Sequence, residues 1–94
     1  MKLTELEPKW VATDEPRHGM GISFNHPNGK DFRLVIWFDN PIDGGKPAFP
    51  NQYGLWHRTG EDFETLTLTP SIEVKLPEDM YWHGFLTNGD FKSV

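Results

Sequence analysis

Residues 65–76 read TLTLTPSIEVKL, and apolar and polar side chains alternate along them with a period of two. Such alternation is typical of a β-strand with one buried face. Leu68 and Ile72 would point into the core, whereas Glu73 would point to solvent. Pro70 falls among the apolar positions and cannot donate a ladder hydrogen bond, so we expect the strand to bend there, at a bulge or at a sheet edge.

An apolar segment earlier in the chain predicts a second strand. Residues 32–38 read FRLVIWF, a nearly continuous run of β-branched and aromatic residues that is typical of a central strand covered on both faces. A short strand from Gly21 to Phe24 precedes it. Between the two, residues 26–30 read HPNGK and supply the turn of a hairpin.

The last residues of the chain carry the strongest turn signal. The Asn88-Gly89 pair lies between residues 81–86 and 91–94, and these two residue types readily adopt the positive φ values of a type I′ turn. We therefore expect a C-terminal β-hairpin. With a two-residue loop, Leu86 would lie opposite Phe91 on one face.

These segments predict an all-β, mostly antiparallel fold. At 94 residues the chain can form one core, so residues 1–94 are expected to be a single domain built as one small sheet or as two packed small sheets. Residues 1–18 are expected to form an irregular N-terminal arm. Residues 40–54 are rich in Pro and Gly and are expected to form a long irregular loop, a type of segment that often carries function.

The composition excludes several classes of site and partner. The chain has no cysteine, which excludes disulfides and thiolate metal sites and is compatible with a reducing cytoplasm. A net charge of -5 disfavours nucleic acid as a partner, because phosphate binding needs clustered Lys and Arg. Residues 1–10 contain no apolar run, so neither a secretory signal nor a membrane span is predicted, and we expect a cytoplasmic location.

No sequence pattern indicates catalysis. The serines lie outside the Gly-x-Ser-x-Gly and Ser-x-x-Lys patterns, and the glycine pairs lack the lysine of a phosphate-binding loop. The histidines are His18, His26, His57 and His83, and none forms the HxH, HxxxH or HExxH spacing that supplies two zinc ligands from one element. Strand pairing could still bring His26 and His83 together, which leaves a metal site open.

Aromatic residues are the remaining candidates for function. Exposed aromatic side chains are frequent anchors in binding surfaces. The candidate binding residues are Phe49, Tyr53, Trp56, His57 and Trp82. In the alternative interpretation the tryptophans are structural, with Trp37 and Trp82 in the core and Trp56 covering a sheet edge.

Four segments together resemble a known family. They are residues 22–27 (ISFNHP), the stretch from Trp56 to Gly60, residues 67–72 (TLTPSI) and residues 82–89 (WHGFLTNG). Their order is similar to that in a family of small bacterial and phage proteins catalogued as a domain of unknown function, DUF6527. The resemblance covers most of the chain from Gly19 onward, and it implies no established reaction or substrate.

The resemblance also implies a degenerate metal site. Many such relatives carry a Cys-Pro-x-Cys-like knuckle that forms a zinc-ribbon-like site with a late histidine or cysteine. In this chain His26 stands in place of the first cysteine, and Asn28 or Gly29 in place of the second. The resemblance therefore carries over His26 and His83 as weak zinc candidates, and our hypothesis is that the metal has been lost.

The expected function is that of a non-enzymatic phage or prophage accessory protein. It would bind a protein partner in the bacterial host, such as a host or defence component, through an aromatic surface and the loop at residues 40–54. Two alternatives stay open. One is a zinc-ribbon-like metal-binding module or metal-dependent enzyme that uses His26 and His83, and the other is a small-ligand or carbohydrate binder that stacks its ligand on Trp56 and Trp82. Self-association also stays open, whereas neither nucleic acid nor membrane is expected as a partner.

Overall fold

The computed structural model describes residues 1–49, 54–75 and 81–94 and consists mainly of antiparallel strands. One sheet has three strands in the order β1 (Lys9–Val11), β2 (Gly21–His26) and β3 (Gly29–Trp37). The other has four in the order β4 (His57–Thr59), β5 (Thr67–Val74), β6 (Trp82–Thr87) and β7 (Asp90–Ser93). The predicted all-β fold with a C-terminal hairpin is confirmed, and of the two expected arrangements, one small sheet or two, the chain forms two. A 3-10 helix at Leu3–Leu6 precedes β1.

Backbone pairing joins the end of β3 to the start of β4. The Trp56 N–H donates to the carbonyl of Trp37 at 3.0 Å, and the Asp39 N–H donates to the carbonyl of Trp56 at 2.9 Å. These two bonds form a parallel bridge between Phe38 and Trp56. The two sheets are therefore continuous along this line.

The N-terminal segment joins the first sheet to the last strand. The Leu3 N–H donates to the carbonyl of Gly89 at 2.8 Å, and the Phe91 N–H donates to the carbonyl of Met1 at 2.7 Å. Residues 1–18, which we expected to be an irregular arm, instead contain the 3-10 helix, whose two leucines are buried, and β1. Backbone hydrogen bonds of this segment therefore link the first sheet to β7.

The buried apolar side chains form one cluster between the sheets. Phe91 connects the two sheets, because its ring lies 5.2 Å from that of Phe24 in the first sheet and 5.5 Å from that of Trp82 in the second. Most of the buried mass is aromatic or leucine, which suits a small core. The cluster consists of Leu3, Leu6, Ile22, Phe24, Ile36, Phe38, Leu66, Leu68, Ile72, Trp82, Leu86 and Phe91.

The central strand of the first sheet is β2, so the prediction that residues 32–38 form a central, doubly covered strand is wrong. All six residues of β2 are buried, whereas β3 lies at the edge, with Val35 50% exposed. The outer face of β2 is covered by Arg33, which donates to Ser23 Oγ at 3.0 Å and to Asn25 Oδ1 at 3.1 Å. The long arginine stem buries polar residues that the sequence alone marks as exposed.

The predicted bend at Pro70 is confirmed, but its predicted position on the apolar face is wrong. The register of β5 against β6 shifts between Leu68 and Ile72, and Pro70 is exposed. Between these two pairs β5 advances by four residues and β6 by two, so β5 carries two extra residues and Pro70 leaves the buried row. The indole N–H of Trp56 donates to the Pro70 carbonyl at 3.1 Å and so satisfies a backbone group at the bend.

The C-terminal hairpin forms as predicted. Asn88 and Gly89 have φ values of 48° and 70°, and Thr87 pairs with Asp90 across the turn. Leu86 lies opposite Phe91, and both side chains are buried. The turn therefore places the last strand against the core.

The loop that follows β3 is held by one ion pair. Between residues 40 and 49 the structure contains no helix or strand, and residues 50–53 lie outside the described residues. Arg17 donates through Nε to Asp43 Oδ2 at 2.7 Å and through Nη2 to the Lys46 carbonyl at 2.8 Å. Within the described ranges no helix is long and apolar enough to cross a membrane.

Replacing Gly89 by alanine should destabilise the protein more than replacing Gly44. Both glycines have positive φ values, 70° and 77°, so each alanine carries the left-handed backbone penalty of about 1–2 kcal/mol. A Cβ at Gly89 would also collide with the carbonyl oxygen of Phe63, whereas a Cβ at Gly44 would meet nothing within 4 Å. Urea unfolding followed by tryptophan fluorescence should give a difference of at least about 1 kcal/mol. Equal losses would contradict the packing of this turn.

The ion pair of Asp43 should contribute to acid sensitivity. The Arg17 hydrogen bond and the Gly45 N–H hold the pKa of Asp43 well below its usual range. Because the pKa is lower in the folded state, the stabilisation is complete above the unfolded value of about 3.9 and is lost as the pH falls through the folded value. The Asp43→Asn variant should therefore lose less stability than the wild type between about pH 5 and pH 2. Asp31 has no ion pair with the side chains that the structure describes, so Asp31→Asn serves as the control. Identical urea midpoints for wild type and Asp43→Asn across this range would contradict the argument.

Candidate binding surface

His26 supports the turn between β2 and β3. Its side chain is 1% exposed, and its Nδ1 accepts the N–H of Asn28 at 2.9 Å. In this hydrogen bond Nδ1 is the acceptor, which holds the backbone N–H of the turn. The ring also lies 6.1 Å from that of Phe32 in an edge-on arrangement. His26 is thus a buried part of the hairpin.

His83 belongs to a polar cluster on the outer face of β5 and β6. Its Nε2 lies 3.0 Å from Ser71 Oγ, and its cross-strand neighbour is Glu73. The Tyr81 hydroxyl donates to Glu73 Oε2 at 2.7 Å; this bond lowers the pKa of Glu73 and raises that of Tyr81. Our sequence reasoning did not find this cluster. The signal was available, because Ser71 and Glu73 are two residues apart and so share a strand face.

Among the described residues, the Ser71–His83 pair lacks the further groups of a nucleophilic site. A serine nucleophile needs a base whose second ring nitrogen is held by an acceptor, and it needs donors for the developing oxyanion. Among the described residues, no carboxylate forms a hydrogen bond with the second ring nitrogen of His83. The pair instead ties the part of β5 beyond the bend to β6.

The two histidines do not form a metal centre with the residues described. His26 binds the Asn28 amide and His83 binds Ser71, so their partners differ. In residues 1–49, 54–75 and 81–94 there is no group of three or more His, Cys, Asp or Glu that could hold a metal ion. A zinc site needs three or four ligands, so the donors within these described ranges do not make up the zinc-ribbon-like site that the family resemblance implies.

The tryptophans divide between core and edge. Trp82, an expected binding residue, is 6% exposed and lies in the core, where the structural alternative placed it. Trp56 is half-buried and packs against the core cluster at the junction of the sheets, so it covers a sheet edge, as that alternative also predicted. Trp37, which the same alternative placed in the core, is outside the core cluster and half-buried. Its ring packs on Gly21, where a side chain would collide with it.

The remaining candidate residues lie near the end of β3. Phe49 is 42% exposed, and its ring meets that of Trp37 edge-on at 5.7 Å. His57 is exposed and its Nδ1 lies 3.1 Å from Asp39 Oδ1. Tyr53 lies outside the described residues. Of the four predicted binding residues that the structure describes, Phe49 therefore presents the clearest exposed apolar surface.

Three side chains form what we call the outer strip: Val35, Trp37 and Phe49. Val35 and Trp37 are two residues apart on β3 and so share one face of the sheet, and Phe49 adjoins Trp37. Val35 is 50% exposed. The sequence did not single out Val35, because a continuous apolar run does not reveal which face is left uncovered.

An apolar groove lies beside the outer strip, and we call it the β3–β5 groove. Its walls are Phe32 and residues 34–36 of β3 on one side and residues 72–75 of β5 on the other, with Trp56 among the residues that line it. Its volume is about 470 Å³. The groove contains residues from both faces of each strand, so it is an opening in the wall of strands. The sequence analysis did not predict this groove.

No protein-family model matches the chain, and searches among curated proteins and among solved structures also find no match. The resemblance to DUF6527 therefore stays a prediction, and the site is described from its own geometry alone.

Purified protein should contain no stoichiometric zinc. Because the described donors supply too few ligands, a chelator should leave the melting temperature unchanged. Elemental analysis of protein prepared without a histidine tag, with melts in the presence and absence of EDTA, tests this. Stoichiometric zinc together with a chelator-lowered melting temperature would contradict it, and loss of that zinc in His26→Ala or His83→Ala would assign the site.

Proposed function

We propose that the protein acts by binding another protein, without catalysis, through the outer strip and the adjoining β3–β5 groove. The observation that carries this proposal is the concentration of exposed apolar side chains at one place. Phe32 and Val35 are 36% and 50% exposed and line the apolar groove, and Phe49, which is 42% exposed, contacts Trp37 two residues beyond Val35 on β3. Adjacent exposed apolar groups mark interaction surfaces more often than isolated ones do.

The physical advantage of covering this surface is substantial for a small protein. Fully burying one Val or Phe side chain contributes about 1.5–3 kcal/mol, so a few such groups can supply a large part of a binding free energy. Trp37 holds Phe49 in place by an edge-on ring contact, which reduces the entropy lost when a partner orders it. The net charge of -5 favours a partner surface that is neutral or basic.

The proposed setting is that of a phage or prophage accessory protein in the bacterial cytoplasm. The resemblance to DUF6527 supports this setting, and a host or defence component is the partner class that it implies. Nucleic acid is disfavoured as a partner by the acidic charge of the chain. The proposal makes no use of catalysis.

The carbohydrate-binding alternative has less support. Stacking of a sugar ring needs exposed indole or phenol faces. Trp82 is in the core and Trp56 donates its indole N–H to the Pro70 carbonyl, so the two rings do not form a shared open platform. The metal-dependent alternative has no group of three or more candidate ligands within the residues described.

Affinity capture from bacterial lysate tests the proposal, with surface variants as comparison. Phe49→Ser and Val35→Lys should abolish capture of proteins that the wild type enriches, because each removes exposed apolar surface from the outer strip. Phe85→Ser is the matched control, since Phe85 is 48% exposed on β6 in the other sheet. Quantitative mass spectrometry gives the enrichment, and unfolding curves confirm that each variant is folded.

Two results would contradict the proposal. One is that the wild type enriches no protein. The other is that the same proteins are captured equally by the wild type, Phe49→Ser and Val35→Lys, which would place the binding surface elsewhere.

A further inference from the structure

The β3–β5 groove exists because β4 is much shorter than its neighbours. β4 has three residues, whereas β3 has nine and β5 has eight. At β4 one strand lies between the other two: Trp56 bridges to β3 through Phe38, and His57 pairs with Thr69 of β5. Upstream of this point Gly54 has a φ of 83°, outside the extended range. The groove thus occupies the line along which a longer β4 would have continued.

The backbone of β3 presents hydrogen-bonding groups to this groove. The Trp37 carbonyl accepts from Trp56, so the backbone groups of Trp37 point away from β2. Alternate residues of a strand point their N–H and C=O groups to the same side. The backbone N–H and C=O of Val35 therefore face the groove side, while those of Ile36 face β2. No strand among the described residues pairs with β3 on that side along residues 31–36.

The backbone of β5 presents a matching edge from the opposite wall. The Val94 N–H donates to the His83 carbonyl at 2.9 Å, so the backbone groups of His83 face β7. Its cross-strand partner Glu73 is consequently in a non-hydrogen-bonded pair and points its own N–H and C=O away from β6. The same alternation directs the carbonyl of Ser71 outward, where it lies 3.4 Å from the indole nitrogen of Trp56.

We propose that the β3–β5 groove receives an extended segment of a partner protein as an added strand in line with β4, hydrogen-bonded to Val35 on one side and to Glu73 on the other. This inference rests on the proposed protein-binding function and specifies its mode. Strand addition draws affinity from main-chain hydrogen bonds and specificity from alternate side chains. Here both edges are supplied by the same protein.

The residues that line the groove determine which side chains the partner segment should carry. Its inward side chains would contact Leu34, Ile72 and Val74, so they should be aliphatic and should alternate with outward polar residues. Proline is excluded, because both rows of main-chain groups are used. Outward positions lie beside the Glu73 carboxylate on a chain with net charge -5, which favours neutral or basic residues there.

The occupant is a free segment and not the edge of a second copy. An added strand flanked on both sides needs a space of about twice the 4.8 Å strand separation, and its two edges must both be unpaired. An edge strand of another folded copy remains bonded to its own sheet on one side. It could therefore satisfy Val35 or Glu73 but not both.

A tethered peptide tests this mode of binding. Because the chain has no cysteine, Lys75→Cys introduces a unique attachment site beside the groove on a side chain that is 75% exposed. A capped peptide of alternating Val and Thr, with a terminal Cys, can be joined there by a disulfide, which raises its effective concentration to about the millimolar range. Residue-resolved amide hydrogen exchange should show both Val35 and Glu73 slowed at least about tenfold, with Ile36 unchanged.

Two controls distinguish pairing of the added strand from a general effect of tethering a peptide to the protein. The same peptide tethered through Lys92→Cys on β7, or a peptide with N-methylated valines tethered through Lys75→Cys, should slow neither amide. Slowing of only one amide, or of neither, with the unmodified peptide at Lys75→Cys would overturn the inference. In the untethered protein, slowing of both amides that increases with protein concentration would identify a second copy as the occupant and would also overturn it. If the tethered peptide fails while Phe49→Ser still abolishes capture, the binding function stands and only the strand mode falls.

Discussion

The backbone pairing of Trp56 with the end of β3 is the constraint on which the rest of the structure depends. The Trp56 N–H donates to the Trp37 carbonyl, and the Trp56 carbonyl accepts from the Asp39 N–H, and these two bonds join the two sheets. Through the same residue the indole reaches the Pro70 carbonyl, so the bend of β5 and the junction of the sheets are fixed together. The apolar groove begins where this pairing stops, because no described strand continues β4 upstream of Trp56.

The buried polar strand β2 is the second requirement of the fold. Ser23 and Asn25 are each 8% exposed and would destabilise the protein if they were left without partners. Arg33 binds both and also donates to the Glu7 carbonyl at 2.8 Å, while Asn25 donates to the Glu7 carboxylate at 2.7 Å. This network attaches the segment before β1 to the outer face of the sheet. It also leaves Val35 and Trp37 as the apolar part of that face.

The sequence could predict those features that depend on neighbouring residues. Asn88-Gly89 defines its hairpin because both positive φ values lie within the turn, and the alternation around Leu68 marks a half-buried strand. The exposure of Val35, the burial of Asn25 and the pairing of His83 with Ser71 depend on strand order and on a long arginine, and neither is visible in local patterns. Phe49 was predicted as a binding residue, but the groove depends on the unequal lengths of three strands.

The pairing of Leu3 with Gly89 has a consequence for the order of assembly. It joins two residues that are separated by most of this sequence, and the buried Leu3 and Leu6 belong to the same core cluster as Phe91. Such high contact order slows folding, because loop-closure entropy is lost before the contacts form. During synthesis the apolar faces of the first strands therefore stay uncovered until residues 89–91 have left the ribosome.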